Sequence, residues 1–187
     1  METEEAVATQ GDRTLQLLVR QIRFEGKGIN SYKLVDPDGG DLPDFGAGAH
    51  IDIHLGDGLI RQYSLCNDPA ERQHSVIAVL RDEAGCGGSK ALHQKLRVQD
   101  IVRVSRPRNN FPLVTDAEKV ILLAGGIGVT PLKSMAHELD KQGTEYDLHD
   151  LHYCPRDVSC AAFDKEFKEL LDSGRLHYHF DGGDPAA

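Results

Sequence analysis

The sequence predicts a small antiparallel β-barrel followed by an incomplete parallel α/β domain, and three observations predict it. Six short strand candidates, separated by turns rich in Gly, Asp and Pro, lie before residue 106 with almost no helix among them. The character changes near residues 112–116, and beyond that point strands alternate with helices, the pattern of a parallel sheet. Finally, four apolar residues, Val120 to Leu123, run into a glycine turn at Gly125, Gly126 and Gly128, after which a helical period begins. The predicted division is a disordered tail over 1–13, the barrel over 14–114 and the α/β domain over 115–187.

Taken in order, the start of the chain has neither a basic segment nor an apolar core, so it does not read as a secretory signal, and a cytoplasmic protein is expected. Residues 15–24 alternate well enough for a strand. A second strand over 30–35 precedes the turn at Asp36, Pro37, Asp38, Gly39 and Gly40, and residues 50–55 alternate cleanly. Further strands are predicted over 62–66, 75–80 and 100–105, with a short helix over 90–96 that opens at Gly87, Gly88 and Ser89. In the second half, Val120 to Leu123 read as a strand buried on both faces. The helix over 130–141 places Leu132, Met135, Ala136 and Leu139 three and four residues apart. Thr130 can cap it, Pro131 sits where a missing N–H is harmless, and Gly143 stops it. Strands over 146–153 and 175–180 flank a helix over 161–172 with Phe163, Phe167, Leu170 and Leu171 on one face.

Charge narrows the function classes. Lys and Arg number 21 against 30 Asp and Glu, a formal charge of -9, which argues against binding a phosphate backbone and makes nucleic acid an unexpected partner. No apolar run approaches a membrane span. Cys66, Cys86, Cys154 and Cys160 show no zinc-ligand spacing and read as free thiols. His149, His152, Cys154, His177 and His179 fall in or beside strand patterns and read as sheet residues, so no metal site is assigned.

Three places look chemical. In the strand carrying Arg61, Gln62, Tyr63, Ser64 and Leu65, alternation puts Arg61, Tyr63 and Leu65 on one face and Gln62 and Ser64 on the other. A ring, a fixed cation and a hydroxyl in so short a span suit a flat, phosphorylated ligand, though a solvent-facing strand would read the same. Gly87, Gly88 and Ser89 open a helix, where unpaired N–H groups attract anions; a capped loop is the plainer reading. Gly125, Gly126, Gly128, Thr130 and Pro131 form a second such start, fitted to a dinucleotide phosphate or to an ordinary tight connection.

Together and in this order, the three segments resemble the ferredoxin-NADP reductase-like flavoproteins. The phthalate dioxygenase reductase branch, with the reductase subunits of vanillate demethylase-type oxygenase systems, is the nearer resemblance, through Pro107, Arg108, Asn109, Asn110, Phe111, Pro112 and Leu113 at the domain junction and His152, Tyr153 and Cys154 on a parallel strand. The resemblance implies a flavin against the barrel, FMN rather than FAD, with the Tyr63 position beside its ring, Ser64 near its reactive nitrogen and Arg61 at its phosphate. Gly87, Gly88 and Ser89 would hold the same phosphate. Gly126, Gly128 and Thr130 would receive the pyrophosphate and nicotinamide of NADH or NADPH, with Gly125, Pro131 and Gln62 completing the set. Hydride passes directly between the two rings, so no proton carrier is assigned; Ser64 is the one residue given a catalytic role. Cys86 departs from the pattern, since many relatives carry an arginine before the glycine pair.

The expected partner is a terminal oxygenase or another electron acceptor. The resemblance also implies two further strands and a plant-type [2Fe-2S] domain, and the cysteines here cannot supply the C-x4-C-x2-C ligand run that such a cluster needs. The expectation is therefore a truncated chain with an unfinished sheet. It is either a working NAD(P)H-dependent flavin oxidoreductase module or a flavin-binding module without turnover.

Overall fold

The computed structural model describes residues 14–56, 58–114, 116–117, 119–141 and 149–182. The tail over 1–13, the Gly143 stop signal and the start of the strand predicted over 146–153 lie outside them. Residues of the first half alternate between apolar and polar, and each run pairs antiparallel with its neighbours. The strands are β1 (Leu15–Gly26), β2 (Ile29–Val35), β3 (His50–His54), β4 (Ile60–Ser64), β5 (Ser75–Leu80) and β6 (Ile101–Val104), in the order β4-β3-β6-β1-β2-β5. The two ends of that sheet meet where Leu65 bridges Ile77 and the Cys66 N–H donates to the Val76 carbonyl at 2.9 Å, which curls it into a barrel. Inward-facing Val19, Leu34, Ile51, Ile53, Leu65, Ile77 and Val79 are fully buried with Tyr32. Helix α1 (Gly88–Lys95) plugs one end through Leu92, whose burial contributes roughly 2 kcal/mol. Strand β4 begins two residues earlier than the sequence predicts and ends at Ser64, because Leu65 leaves the ladder with β3 to make the closing bridge.

The second unit has three parallel strands, β7 (Val120–Gly125), β8 (His149–Cys154) and β9 (Leu176–Tyr178), ordered β7-β8-β9, with α2 (Val129–Lys141) and α3 (Lys168–Asp172). Leu122, Ala124, Leu132, Met135, Leu139, Leu151, Tyr153, Phe167, Leu170 and Leu176 form its core, which extends onto Ile29, Ala47, Cys66 and Ala78 of the barrel. The resulting architecture is an antiparallel barrel followed by a parallel α/β unit.

Three expectations are corrected here. Val120 to Leu123 are not buried on both faces: Ile121 and Leu123 are 66% and 70% exposed, because both helices pack on the Leu122 and Ala124 side. The helix predicted over 161–172 is α3 alone, preceded by turns. Phe163 adopts a left-handed φ of 65°, which a helix cannot continue through; it is buried with Phe167 and Leu170 while Leu171 stays 45% exposed. Thr130 does not cap α2. A 3-10 turn over Gly126–Gly128 leads into the helix at Val129, and the Thr130 hydroxyl donates back to the Ile127 carbonyl at 3.0 Å.

The strap between the units folds back on the barrel. His50 bridges Arg108, and the Asn109 amide donates to the carbonyls of Ala47 and Gly46 at 2.9 and 3.3 Å.

Burial also orders the thiols. Cys66 is fully buried beside Val76, and burial pushes its thiol up to about 12, whereas Cys86 is exposed. In native protein at pH 8, a thiol reagent is expected to label Cys86 fastest, with Cys86→Ser removing that phase, and to reach Cys66 only on unfolding. Rapid native labelling of Cys66 would contradict this packing.

Candidate functional site

Strand β4 lies at the end of the sheet order, and its register fixes which side chains face where. Arg61 and Tyr63 pair with Ile53 and Ile51 and so share the barrel-interior face with buried Leu65; Gln62 and Ser64 pair with Asp52 and His50 on the other face. The alternation predicted for this strand therefore holds. A cleft of about 570 Å³ runs along it, within the size range of small-ligand sites. Arg61, Gln62, Tyr63, Ser64, Gly88, Ser89, Gly128, Thr130 and Pro131 all border it. Gly126 lines an adjoining cleft of about 780 Å³, which shares Leu80, Asp82 and Ile127 with the first. Gly87 is the N-cap of α1, and Gly125 ends β7 without bordering either cleft.

Three segments distant in sequence thus converge. At one end, Gly87 holds a φ of 83° and turns the chain into α1, whose first N–H groups are left without helical acceptors. Arg61 lies across that turn: a Cβ on Gly88 would come within 2.5 Å of the Arg61 side chain, so only glycine lets the arginine cross. Its guanidinium donates to the carbonyls of Ile60 at 2.8 Å and Cys86 at 3.4 Å, and among the described residues no carboxylate pairs with it. The other cations nearby are already engaged, since Glu83 holds Arg81 at 2.6 Å and Lys90 at 3.0 Å. A helix start and an unneutralised arginine at one point favour an anion. The Ser89 hydroxyl accepts from the Asp82 N–H at 3.0 Å, tying the loop before α1 to the helix.

In the middle of the cleft, the Tyr63 ring packs against the barrel core. Burial pushes its phenol up, partly offset by Arg61, so the ring stays neutral and presents a flat apolar surface. Behind Ser64 and Gln62, burial acts to raise the Asp52 carboxyl, but hydrogen bonds from Arg108 and Gln62 outweigh it and hold it below the usual range. Arg108 Nη2 lies 2.7 Å from Asp52 Oδ2, while among the described residues Asp52 Oδ1 and His50 Nε2 are buried without a partner. At the far end, a Cβ on Gly125, Gly126 or Gly128 would meet nothing within 4 Å, so the space above these glycines is open to a ligand rather than filled by the protein.

Sequence reasoning missed part of the lining. Ala78, Val79 and Leu80 of β5 border the first cleft, and Lys27, Gly28, Arg81 and Cys160 border the second, next to Arg156 and Asp157, which sequence reasoning does reach as candidates for a coenzyme 2'-phosphate and ribose hydroxyls. The β5 residues carry no polar atom to flag them, and the β1–β2 turn reaches the site only through tertiary packing. Of the second group, Asp157 is already committed. Its carboxylate accepts from the Ser159 hydroxyl at 2.6 Å and the Ser159 N–H at 2.8 Å, and the Ser159 hydroxyl bond leads in holding it below the usual range. Arg156 is exposed beside it. The sheet histidines lie apart from both clefts, with the His152 ring stacked 4.7 Å from His177 and 5.2 Å from His179.

No protein-family model matches the chain. The tert-butanol monooxygenase / tert-amyl alcohol desaturase reductase subunit of Aquincola tertiaricarbonis is 54% identical over 172 residues, covering 92% of this chain and 50% of that protein. A vanillate O-demethylase oxidoreductase of a Pseudomonas strain is 44% identical over 169 residues, covering 90% of this chain and 52% of that one. Among solved structures, phthalate dioxygenase reductase superposes with a TM-score of 0.86 at 41% identity over 92% of this chain and 53% of its own. It is described as a modular structure for electron transfer from pyridine nucleotides to [2Fe-2S]. The chain spans about half the length of the relatives it matches, and its fold is the ferredoxin reductase-like one.

Proposed function

We propose that this chain, a homologue of the phthalate dioxygenase reductases and vanillate O-demethylase oxidoreductases, is a flavin-dependent module that oxidises a nicotinamide coenzyme and passes the electrons toward an oxygenase component. The observation that carries the reading is the convergence of β4, the start of α1 and the start of α2 on one cleft. Arg61 and the N–H groups at Gly88 and Ser89 bind the flavin phosphate, and FMN, the flavin implied by the branch that the sequence resembles, is the expected cofactor. Tyr63 offers a neutral face to the flavin ring, and the Ser64 hydroxyl, on the edge strand, donates a hydrogen bond at its reactive nitrogen. The open turn at Gly125, Gly126 and Gly128 lets the coenzyme pyrophosphate approach the backbone, and Thr130 and Pro131 border the space into which the nicotinamide reaches. When bound, the flavin supplies the hydride acceptor and divides the electron pair for one-electron partners. The protein's contribution is alignment and exclusion of water, and no side chain needs to move a proton. NADH is the expected donor. Arg156 is the group that would admit a 2'-phosphate, so Arg156→Ala is expected to depress use of NADPH more than use of NADH.

Following quenching of flavin fluorescence as the chain is titrated in tests the binding half of this reading. Saturable binding, tighter for FMN than for FAD, is expected. Absence of quenching with either flavin would remove the assignments of Arg61, Tyr63, Gly88 and Ser89.

A further inference from the structure

Near the start of α2, the two units meet around a buried ammonium. Lys133 sits one helical turn after Thr130, its side chain only 7% exposed. Its Nζ donates to the Cys66 carbonyl at 2.9 Å, pairs with Glu166 Oε2 at 2.8 Å and donates to His137 Nε2 at 3.3 Å. Those three acceptors match the three N–H bonds of an ammonium, and the Phe163 ring centroid lies 5.2 Å beneath it. Glu166 is held in turn by Arg23 of β1, at 2.6 Å. A second tie joins Lys141, at the end of α2, to Asp68 of the barrel.

The placement matters more than the pairing. Cys66 lies two residues beyond Ser64, where β4 ends, so the carbonyl that Lys133 grips is in the segment that directly continues the strand bordering one side of the cleft. Thr130, one turn back along α2, and Gly128, in the turn that leads into it, border the other side. A buried ion pair adds little net stability over an apolar replacement, but it accepts only one geometry.

We infer that Lys133 is a positioning residue, which locks α2 to the end of β4 and so fixes the separation across the cleft. The clamp belongs to the ligand-free chain; its consequence for hydride transfer rests on the function proposed above. Neutral His137 is part of it. Burial and then Lys133 hold its imidazole below the ordinary range, against Asp68, Glu71 and Asp140, which pull the other way.

Amide hydrogen exchange on the ligand-free chain tests the clamp. Lys133→Met leaves Glu166 its partner Arg23, and is expected to speed exchange over residues 64–68 and 126–134 by about tenfold or more while β1 and β2 stay protected. The His137 titration midpoint should rise in the same variant. Glu166→Gln should reproduce a smaller exchange change, and Lys168→Met, which breaks an exposed pair with Asp172, should reproduce none. Unchanged exchange at both segments, or uniform acceleration across the barrel, overturns the inference. With flavin and NADH, Lys133→Met should slow flavin reduction by about tenfold or more with both dissociation constants within about twofold of the parent, since small misplacement of reacting groups costs rate rather than binding. Weaker binding at an unchanged reduction rate also overturns it. If the parent chain itself is not reduced by NADH, the proposed function fails, and the exchange result still decides the clamp.

Discussion

Gly48→Ala is expected to destabilise the chain by about 4 kcal/mol, a large part of the stability of an ordinary domain. Gly48 holds a φ of 90°, which a side chain tolerates poorly at a cost of about 1–3 kcal/mol. A Cβ there would stand 1.9 Å from the Phe111 carbonyl oxygen and 2.9 Å from Met135 Cε. Methionine can swing aside, but the carbonyl cannot. Phe111 belongs to the strap pinned by Asn109 to Ala47 and by Arg108 to His50, so relieving the clash means lifting the strap and adding a further 1–3 kcal/mol or so of overpacking strain. Urea unfolding of the parent and the variant measures the difference. A loss below about 1 kcal/mol would mean that the strap does not sit on Gly48 as described.

Arg61→Met is expected to weaken FMN binding by roughly tenfold to a hundredfold, the worth of one or two hydrogen bonds to a charged group. The arginine makes no ion pair among the described residues, so methionine removes the cation without stranding a carboxylate, and the fold should keep its unfolding midpoint. Riboflavin, which lacks the phosphate, should bind parent and variant equally. Equal loss for riboflavin would place Arg61 elsewhere on the ligand.

Much of this was legible in the sequence because the signals were local. Period-two alternation located all six barrel strands, and glycines ahead of a helical period located both helix starts. Alternation within β4 also placed Arg61 and Tyr63 opposite Gln62 and Ser64. The misses share one cause, tertiary packing. A continuous apolar run such as Val120 to Leu123 says that burial is available, not which faces the helices cover, and Ile121 and Leu123 are exposed. Spacing put Phe163 on a helix face; its left-handed backbone, with the ring beneath Lys133, is a choice made by the core. Lys133 itself reads in sequence as one more charged residue on a surface helix, and only the fold brings it to Cys66 and Glu166.

The measurement that bears most directly on the central claim is the anaerobic visible spectrum of the chain loaded with FMN, taken before and after NADH is added. The account predicts protein-bound flavin bands that bleach on addition of NADH, because β4 and the start of α2 already hold the two sides of the cleft together. Bands that form with the protein but persist in the presence of NADH would contradict it, leaving a flavin-binding unit without coenzyme turnover.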